Sequence, residues 1–79
     1  MKIIICGAGE VGFSLAKYLA SENMQVTVID ERSEKLNKVS SAIDVRSIVG
    51  KTYNPNILLE AGVEKADLLI AVSENDESN

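Results

Sequence analysis

The sequence has no histidine, no tryptophan, a single cysteine and a single proline among its 79 residues. One cysteine cannot form an intramolecular disulfide, and without histidine a zinc site would have almost no ligands to draw on. We therefore predict no metal site. Cys6 lies at the end of an apolar stretch, and we expect it to be a small residue of the core.

Long apolar runs and clusters of basic residues are lacking as well. No run approaches the roughly 20 apolar residues that cross a bilayer, and the run from Ile3 to Ile5 is interrupted at Gly7, too early for a secretory signal. Lys and Arg number 8 against 12 Asp and Glu, a net charge of −4 without a basic block, which argues against nucleic acid as a partner. We expect a cytoplasmic protein with no direct membrane insertion.

What is present is a regular alternation of apolar strands and amphipathic helices. Strands are predicted at 2–6, 25–30, 44–49 and 66–72, with the first and the last buried in the sheet. Helices are predicted at 11–22, 31–42 and 55–62. The second has favourable i,i+4 pairs, Glu31 with Lys35 and Glu34 with Lys38, and the third has Asn54 as its cap and Gly62 as its stop.

This alternation predicts an α/β fold, a Rossmann-like doubly wound parallel sheet of about four strands in the order 3-2-1-4. Helices one and two are then expected on one face of the sheet and helix three on the other. Ser73 would cap a further helix with Asp76 at its third position. We therefore expect 1–79 to be the N-terminal part of a Rossmann-type nucleotide-binding domain whose later strands are absent, which would leave apolar surface and the edge of the fourth strand open.

Residues 7–12 read GAGEVG and join the first strand to the first helix. In the dinucleotide-binding fingerprint, the first glycine allows a tight turn, the second lets the backbone approach a pyrophosphate, and the third lets the helix pack against the sheet. Gly7, Gly9 and Gly12 occupy these positions, and the helix N-terminus adds free N–H donors for an anion. The alternative is a structural turn that binds nothing.

Asp30 lies 18 residues beyond Gly12, at the end of the second strand. A carboxylate there can accept both ribose hydroxyls and would repel a 2′-phosphate, which favours NAD, NADH or an adenine nucleotide over NADP. Arg32 could stack on adenine, bind a phosphate, or be a solvated loop residue, and the Glu10 side chain could lie beside the anion or point to solvent. Tyr18 and Tyr53 are too isolated to indicate a base-stacking platform.

Support for catalysis is small, because the chain has no histidine and no arrangement of serine with histidine. Two enzyme classes remain open as alternatives to a binding domain. One is the cofactor-binding portion of an NAD-dependent oxidoreductase, whose acid or base would have to follow residue 79. The other is an S-adenosylmethionine-dependent methyltransferase, which shares a glycine loop and an acid after the second strand.

The series MKIIICGAGEVGFSLAKYLASEN, VTVIDERSEKL and DVRSIVGKTYNPNILLEAGVEKADLLIAVSENDESN covers nearly the whole chain. It resembles the N-terminal nucleotide-binding domain of the TrkA potassium-uptake regulators, also called the KTN or RCK domain. The most specific parts of the resemblance are the blocks NPNILLEAG and ADLLIAV and the acidic turn after them. The resemblance implies a regulator and no enzyme: a domain that binds NAD(H) or ATP/ADP, forms a homodimer or higher oligomer, and controls a membrane potassium transporter subunit from the cytoplasmic side of the membrane.

The resemblance also implies which residues contact the cofactor. Lys51 and Thr52 are expected near the adenine and Ser73 near the second ribose or the phosphates, while Asp76 and Asn79 match the turn of the family. The full set of expected cofactor-binding residues is Gly7, Ala8, Gly9, Glu10, Val11, Gly12, Asp30, Glu31, Arg32, Lys51, Thr52 and Ser73.

Overall fold

The computed structural model describes residues 1–72. Within them strands and helices alternate along the chain. The elements are β1 (Lys2–Cys6), α1 (Glu10–Ser21), β2 (Gln25–Asp30), α2 (Ser33–Ala42), β3 (Arg46–Val49), α3 (Pro55–Ala61), a short 3₁₀ turn (Val63–Lys65) and β4 (Leu68–Ala71).

The four described strands form one parallel sheet in the order β3-β2-β1-β4. Ile5 of β1 stands opposite Val28 of β2 on one side and opposite Ile70 of β4 on the other. The predicted α/β class, the Rossmann-like parallel sheet and the strand order are confirmed. The chain runs outward from β1 to β3 and then crosses back to β4, so the point of reversal lies between β1 and β4.

Each face of the sheet has its own apolar core, because successive side chains of a strand point to opposite faces. Ile3, Ile5, Val26 and Val28 pack with Ala16 of α1 and with Leu36 and Val39 of α2. Ile4, Cys6, Ile29 and Ile48 pack on the opposite face with Ala61 of α3. The predicted division of the helices between the two faces is therefore confirmed, and so is the placement of Cys6 in the core.

The fourth strand differs from the prediction in burial. Leu68 is 45% exposed and Leu69 is 46% exposed, although their partners in the neighbouring strand β1, Ile3 and Ile4, are buried. An apolar sequence predicts a buried strand, but β4 lies at an edge of the described sheet. The prediction of a buried strand over 66–72 is wrong in this respect, whereas the expected open edge with exposed apolar surface is confirmed.

The second helix begins two residues later than predicted, at Ser33. The Arg32 N–H donates to the Asp30 carboxylate at 2.8 Å, and Arg32 keeps an extended backbone as the N-cap residue. Glu31 therefore lies before the helix, and the predicted helical pair of Glu31 with Lys35 is wrong. The third strand is also shorter than the predicted 44–49, since it begins at Arg46.

The ends of α3 match the start and stop signals predicted from the sequence. The Asn54 side chain accepts a hydrogen bond from the Asn56 N–H at 2.8 Å, and Pro55 takes the first helical position. Gly62 ends the helix with a φ of 90°, a left-handed conformation that glycine adopts without strain. None of the helices in residues 1–72 has the length and apolar character needed to cross a membrane.

Candidate functional site: a cleft at the carboxyl ends of the strands

The turns that follow β1, β2 and β3 border an open cleft of about 460 Å³ at the carboxyl edge of the sheet. This volume is within the range of small-molecule sites, and the carboxyl edge near a reversal of strand order is where α/β sheets bind ligands. Nine of the expected cofactor-binding residues line the cleft: Gly7, Gly9, Glu10, Val11, Asp30, Glu31, Arg32, Lys51 and Thr52.

Two expected residues lie behind the cleft wall. Ala8 and Gly12 are buried and do not line the cleft, and each has a structural contact described below. Ser73, Asp76 and Asn79 lie outside the described residues.

The sequence reasoning missed three lining residues, Cys6, Tyr53 and Val72. In the sequence Tyr53 is too isolated to indicate a base-stacking platform, yet it lies in the turn after β3 and is 74% exposed. The signal that could have found it is topological. Any residue just after a parallel strand lies at the carboxyl edge, whatever its distance in sequence from the glycine loop.

The glycine loop is held by close backbone contacts. Gly7 has a φ of 120°, and a Cβ placed there would lie 2.6 Å from the Val72 carbonyl oxygen. A Cβ at Gly12 would lie 2.0 Å from the Gly7 carbonyl oxygen and 3.8 Å from Ile5 Cγ2. Gly12 is therefore needed mainly because the first turn of α1 packs against the Gly7 carbonyl at the start of the loop. The contact between the helix and Ile5 of β1 is less close.

The N-terminus of α1 opens on the same cleft. Gly9 is the N-cap residue and offers no side chain, so no side-chain oxygen caps the first turn. The first N–H groups of a helix have no acceptor within the helix, and they carry the positive end of the helix dipole. Glu10 and Val11 are exposed in this first turn, and both line the cleft. The arrangement suits an anionic group that arrives through the open side.

Asp30 is the buried charge of the site, with only 4% of its surface exposed. One of its oxygens, Oδ2, accepts the Ala8 N–H at 2.8 Å, so the end of β2 is fastened to the glycine loop. The hydrogen bond from Arg32 holds the pKa of Asp30 well below its usual range, with further help from the Ala8 and Arg32 N–H groups, against the opposing effect of burial. Asp30 is therefore a carboxylate at any physiological pH. We call 7–12 together with Asp30 the inner half of the site.

Arg32 is bound to Asp30 through its side chain as well as its backbone. Nε donates to Oδ1 at 2.9 Å and Nη2 donates to Oδ2 at 2.8 Å, a two-pronged ion pair. The Arg32 side chain is 39% exposed, and it lines the cleft. The sequence left three roles open for Arg32, and in the structure its side chain is paired with Asp30 while it remains partly exposed.

The outer half of the site consists of Glu31 and residues 50–53, and it is held by exposed side chains. Lys51 Nζ donates to Glu31 Oε1 at 3.2 Å, which joins the turn after β3 to the turn after β2. Both side chains are more than half exposed. The Glu31 carboxylate raises the pKa of Lys51. Lys51 Nζ also lies 5.9 Å from the centre of the Tyr53 ring, so a cation and an aromatic face stand together at the rim.

Metal binding has no support in residues 1–72, where no group of His, Cys, Asp and Glu side chains could hold an ion. Cys6 lines the cleft floor, but burial raises the pKa of its thiol. A buried thiol of this kind is a packing residue more than a nucleophile. The cleft is therefore equipped for polar binding through Asp30, the helix N-terminus and the rim.

Comparison with known proteins gives a consistent result along the chain. The family model of the TrkA-N domain matches residues 3–79. The chain is 46% identical over 79 residues to the Trk system potassium uptake protein TrkA of Azorhizobium caulinodans, and equally identical to the protein of that name from Halomonas elongata. It is also 46% identical to a Trk system potassium uptake protein TrkA homolog from Archaeoglobus fulgidus.

All of this chain is covered in these three alignments, but only part of each relative is. The chain spans 17% of the Azorhizobium and Halomonas proteins and 18% of the Archaeoglobus protein. The similarity therefore concerns one portion of longer proteins.

Proposed function

This chain belongs to the TrkA-N domain family, and from that premise we propose that its cleft binds an adenine nucleotide, NAD(H) or ATP/ADP, as the regulatory signal of a potassium-uptake system. One observation carries the proposal. The uncapped N-terminus of α1 and the buried carboxylate of Asp30 border the same open cleft, and the Ala8 N–H fixes the distance between them. A region suited to anionic phosphates and a region suited to ribose hydroxyls would thus lie side by side.

The phosphates would lie at the glycine loop. The first N–H groups of α1 have no capping side chain, and together with the backbone of Gly9 they would donate to phosphate oxygens, whereas the Gly7 N–H already donates to the Ile29 carbonyl oxygen at 2.8 Å. The ribose would lie at Asp30, whose low pKa keeps it a hydrogen-bond acceptor at neutral pH. The same negative charge disfavours a 2′-phosphate, so NADP is not expected as the ligand.

The adenine would lie toward the outer half of the site. Thr52 is half-buried and lines the cleft, and Tyr53 presents an exposed aromatic ring beside it. An aromatic face and a neighbouring lysine suit a planar, electron-rich base. Ser73 is proposed as a further contact to the second ribose or the phosphates, from the family resemblance alone.

The role of the nucleotide would be regulatory. The relatives carry the name of a potassium uptake protein, and we propose that this chain is part of a homodimer or higher oligomer that acts on a membrane transporter subunit from the cytoplasmic side. A ligand can change such an assembly only by binding two of its conformations with different affinity. Catalysis forms no part of the proposal, because Asp30 and Arg32, like Glu31 and Lys51, are engaged with each other in ion pairs.

We further propose that these residues are the N-terminal part of a larger nucleotide-binding domain. The support is the apolar edge at β4, with Leu68 and Leu69 each nearly half exposed, together with the greater length of the relatives. A further strand beside β4 would cover this edge.

The test is a thermal-shift panel with NAD, NADH, NADPH, ATP, ADP and S-adenosylmethionine at equal concentration. Wild type is compared with Asp30→Ala and with the matched variant Glu34→Ala, which removes one negative charge from an exposed position of α2 that does not line the cleft. A ligand at 100 times its Kd adds about 2.7 kcal/mol, a shift of several degrees in a domain this small. NADH or an adenine nucleotide should stabilise wild type and Glu34→Ala, and Asp30→Ala should lose that gain.

Three other results would count against the proposal. Stabilisation by S-adenosylmethionine alone would indicate a methyltransferase. Turnover of NADH would indicate an oxidoreductase. If no nucleotide shifts the transition, neither in this chain nor in a longer one that includes the following residues, the glycine loop is only a turn.

A further inference from the structure

The Asp30 carboxylate already has a full set of hydrogen-bond donors. Oδ2 accepts from the Ala8 N–H at 2.8 Å and from Arg32 Nη2 at 2.8 Å, while Oδ1 accepts from the Arg32 N–H at 2.8 Å and from Arg32 Nε at 2.9 Å. A carboxylate has about four lone-pair positions. All of them are therefore occupied in this structure, two by backbone groups and two by one side chain.

The two side-chain bonds have the geometry of a bound diol. Nε and Nη2 are neighbouring donors on one planar group, and each contacts a different oxygen of Asp30. A ribose offers the same pattern, because its vicinal hydroxyls are neighbouring donors that can each reach one carboxylate oxygen. The ribose and the guanidinium would thus use the same two acceptor positions, and they cannot use them together.

We propose that Arg32 occupies the position that the ribose would take and competes there with any incoming nucleotide, an inference that rests on the proposed function. The competitor belongs to the protein itself, so the affinity for a diol-bearing ligand is set by the difference between two sets of hydrogen bonds. A ligand without the diol leaves the ion pair in place and receives nothing from Asp30.

The backbone around Arg32 allows this exchange without unfolding. The Arg32 N–H stays bound to Oδ1, and its carbonyl oxygen accepts from the Lys35 and Leu36 N–H groups in the first turn of α2. Only the side chain has to move. It is 39% exposed and lines the cleft, and the helix start and Asp30 can keep their positions when it moves.

The test measures the Kd of two probes, ADP and 2′,3′-dideoxy-ADP, by calorimetric titration of the full chain. Both probes carry the same phosphates and base and differ only in the diol. The variants are Arg32→Ala and Arg32→Met, the second of which keeps the apolar stem but has no donor. Lys17→Ala is the matched control, since it removes one positive charge from an exposed position on α1 that does not line the cleft.

Loss of Arg32 should tighten ADP about fivefold, the change expected for release of a bidentate, partly exposed ion pair. The affinity for dideoxy-ADP should not rise, and Lys17→Ala should leave the ratio of the two Kd values unchanged. The direction of the change in the Kd of ADP is enough to distinguish competition from simple electrostatic attraction. Removing a cation beside an anionic ligand should weaken binding by simple electrostatics, whereas removing a competitor strengthens it.

If ADP binds the Arg32 variants as weakly as wild type or more weakly, Arg32 does not compete and this inference is wrong, while nucleotide binding itself stands. Equal tightening of both probes would also overturn it, because the diol would then play no part. If ADP binds neither wild type nor the variants, the proposed function fails together with the inference.

Discussion

Asp30 and Glu31 are consecutive carboxylates at the same edge of the sheet, and they belong to different halves of the site. Asp30 is buried and accepts four hydrogen bonds, two of them from the backbone. Glu31 is exposed and accepts a hydrogen bond at 3.2 Å from Lys51, which is also exposed. The charge is the same, and the surroundings decide what it contributes. Asp30 is part of the folded core, while Glu31 belongs to a surface arrangement beside it.

The position at which β2 ends explains this difference between Asp30 and Glu31. Asp30 is the last residue of β2 and stands opposite Val49 of β3, so the sheet fixes its backbone. Glu31 is the first residue beyond the sheet, and neither a strand nor a helix includes it. A single residue of sequence thus separates a group held on several sides from one that faces water.

The largest effect should come from placing a methyl group in each half of the site. A Cβ at Gly12, in the inner half, meets a backbone oxygen at 2.0 Å, whereas a Cβ at Gly50, in the outer half, meets the Cδ1 atom of Ile57 at 2.5 Å. The Ile57 side chain can rotate away, but the Gly7 carbonyl cannot. We expect Gly12→Ala to lower the free energy of unfolding by about 3 kcal/mol and Gly50→Ala by about 1 kcal/mol, measured by urea denaturation.

The helix propensities make this a strict test, because alanine is favoured over glycine inside a helix by about 1 kcal/mol. Gly12 lies within α1. A stabilised Gly12→Ala protein would therefore mean that the loop can move away from the helix, and the description of the glycine loop as held by close backbone contacts would be wrong. Equal losses in the two variants would remove the contrast between the halves.

The next effect concerns the two carboxylates themselves. We expect Asp30→Asn to lower the free energy of unfolding by about 2 kcal/mol at neutral pH, since hydrogen bonds to a buried charged group are lost. Glu31→Gln should change it by less than about 0.5 kcal/mol. The two variants lose the same charge one residue apart, so a global charge effect cancels in the comparison.

The dependence on pH should separate these variants further. The pKa of Asp30 is lower in the folded than in the unfolded chain, where it is about 3.9. The contribution of Asp30 to the free energy of unfolding is then fully present above about pH 5 and is lost as the pH falls below that value. Denaturation between pH 7 and pH 2 should show wild type and Glu31→Gln losing stability in parallel, with Asp30→Asn approaching them at low pH. A constant gap between Asp30→Asn and wild type would contradict the assignment.

The sequence predicted the inner half of the site more fully than the outer half. The glycines at 7, 9 and 12 and the acid at Asp30 follow from local rules, in which a strand, a turn and a helix succeed one another. Tyr53 and the contact of Glu31 with Lys51 depend on how turns 20 residues apart are placed in space. Periodicity and propensity carry no information on that placement.

The ion pair of Arg32 with Asp30 escaped prediction for a different reason. The two residues are close in sequence, but the pair depends on the rotamer of a long side chain that had three plausible positions. The burial of β4 was mispredicted because an apolar strand can have the same sequence pattern at the edge of a sheet as in its middle. In both cases the sequence indicated the right residues and left their surroundings open.

The smallest effect should be that of the pair between Glu31 and Lys51. Because Lys51 is exposed, we expect Lys51→Ala to change Tm by less than about 2 °C, with the change abolished in 1 M salt, where the screening length is about 3 Å. The Glu31 carboxylate raises the pKa of Lys51, so whatever the pair contributes is present below about pH 10 and is lost as the pH rises above it. Combining Glu31→Gln with Lys51→Ala in a double-mutant cycle isolates this coupling. A coupling energy that persists in 1 M salt would show that the outer half is held as firmly as the inner half. Asp30 and Glu31 would then differ in burial but not in how firmly they are held.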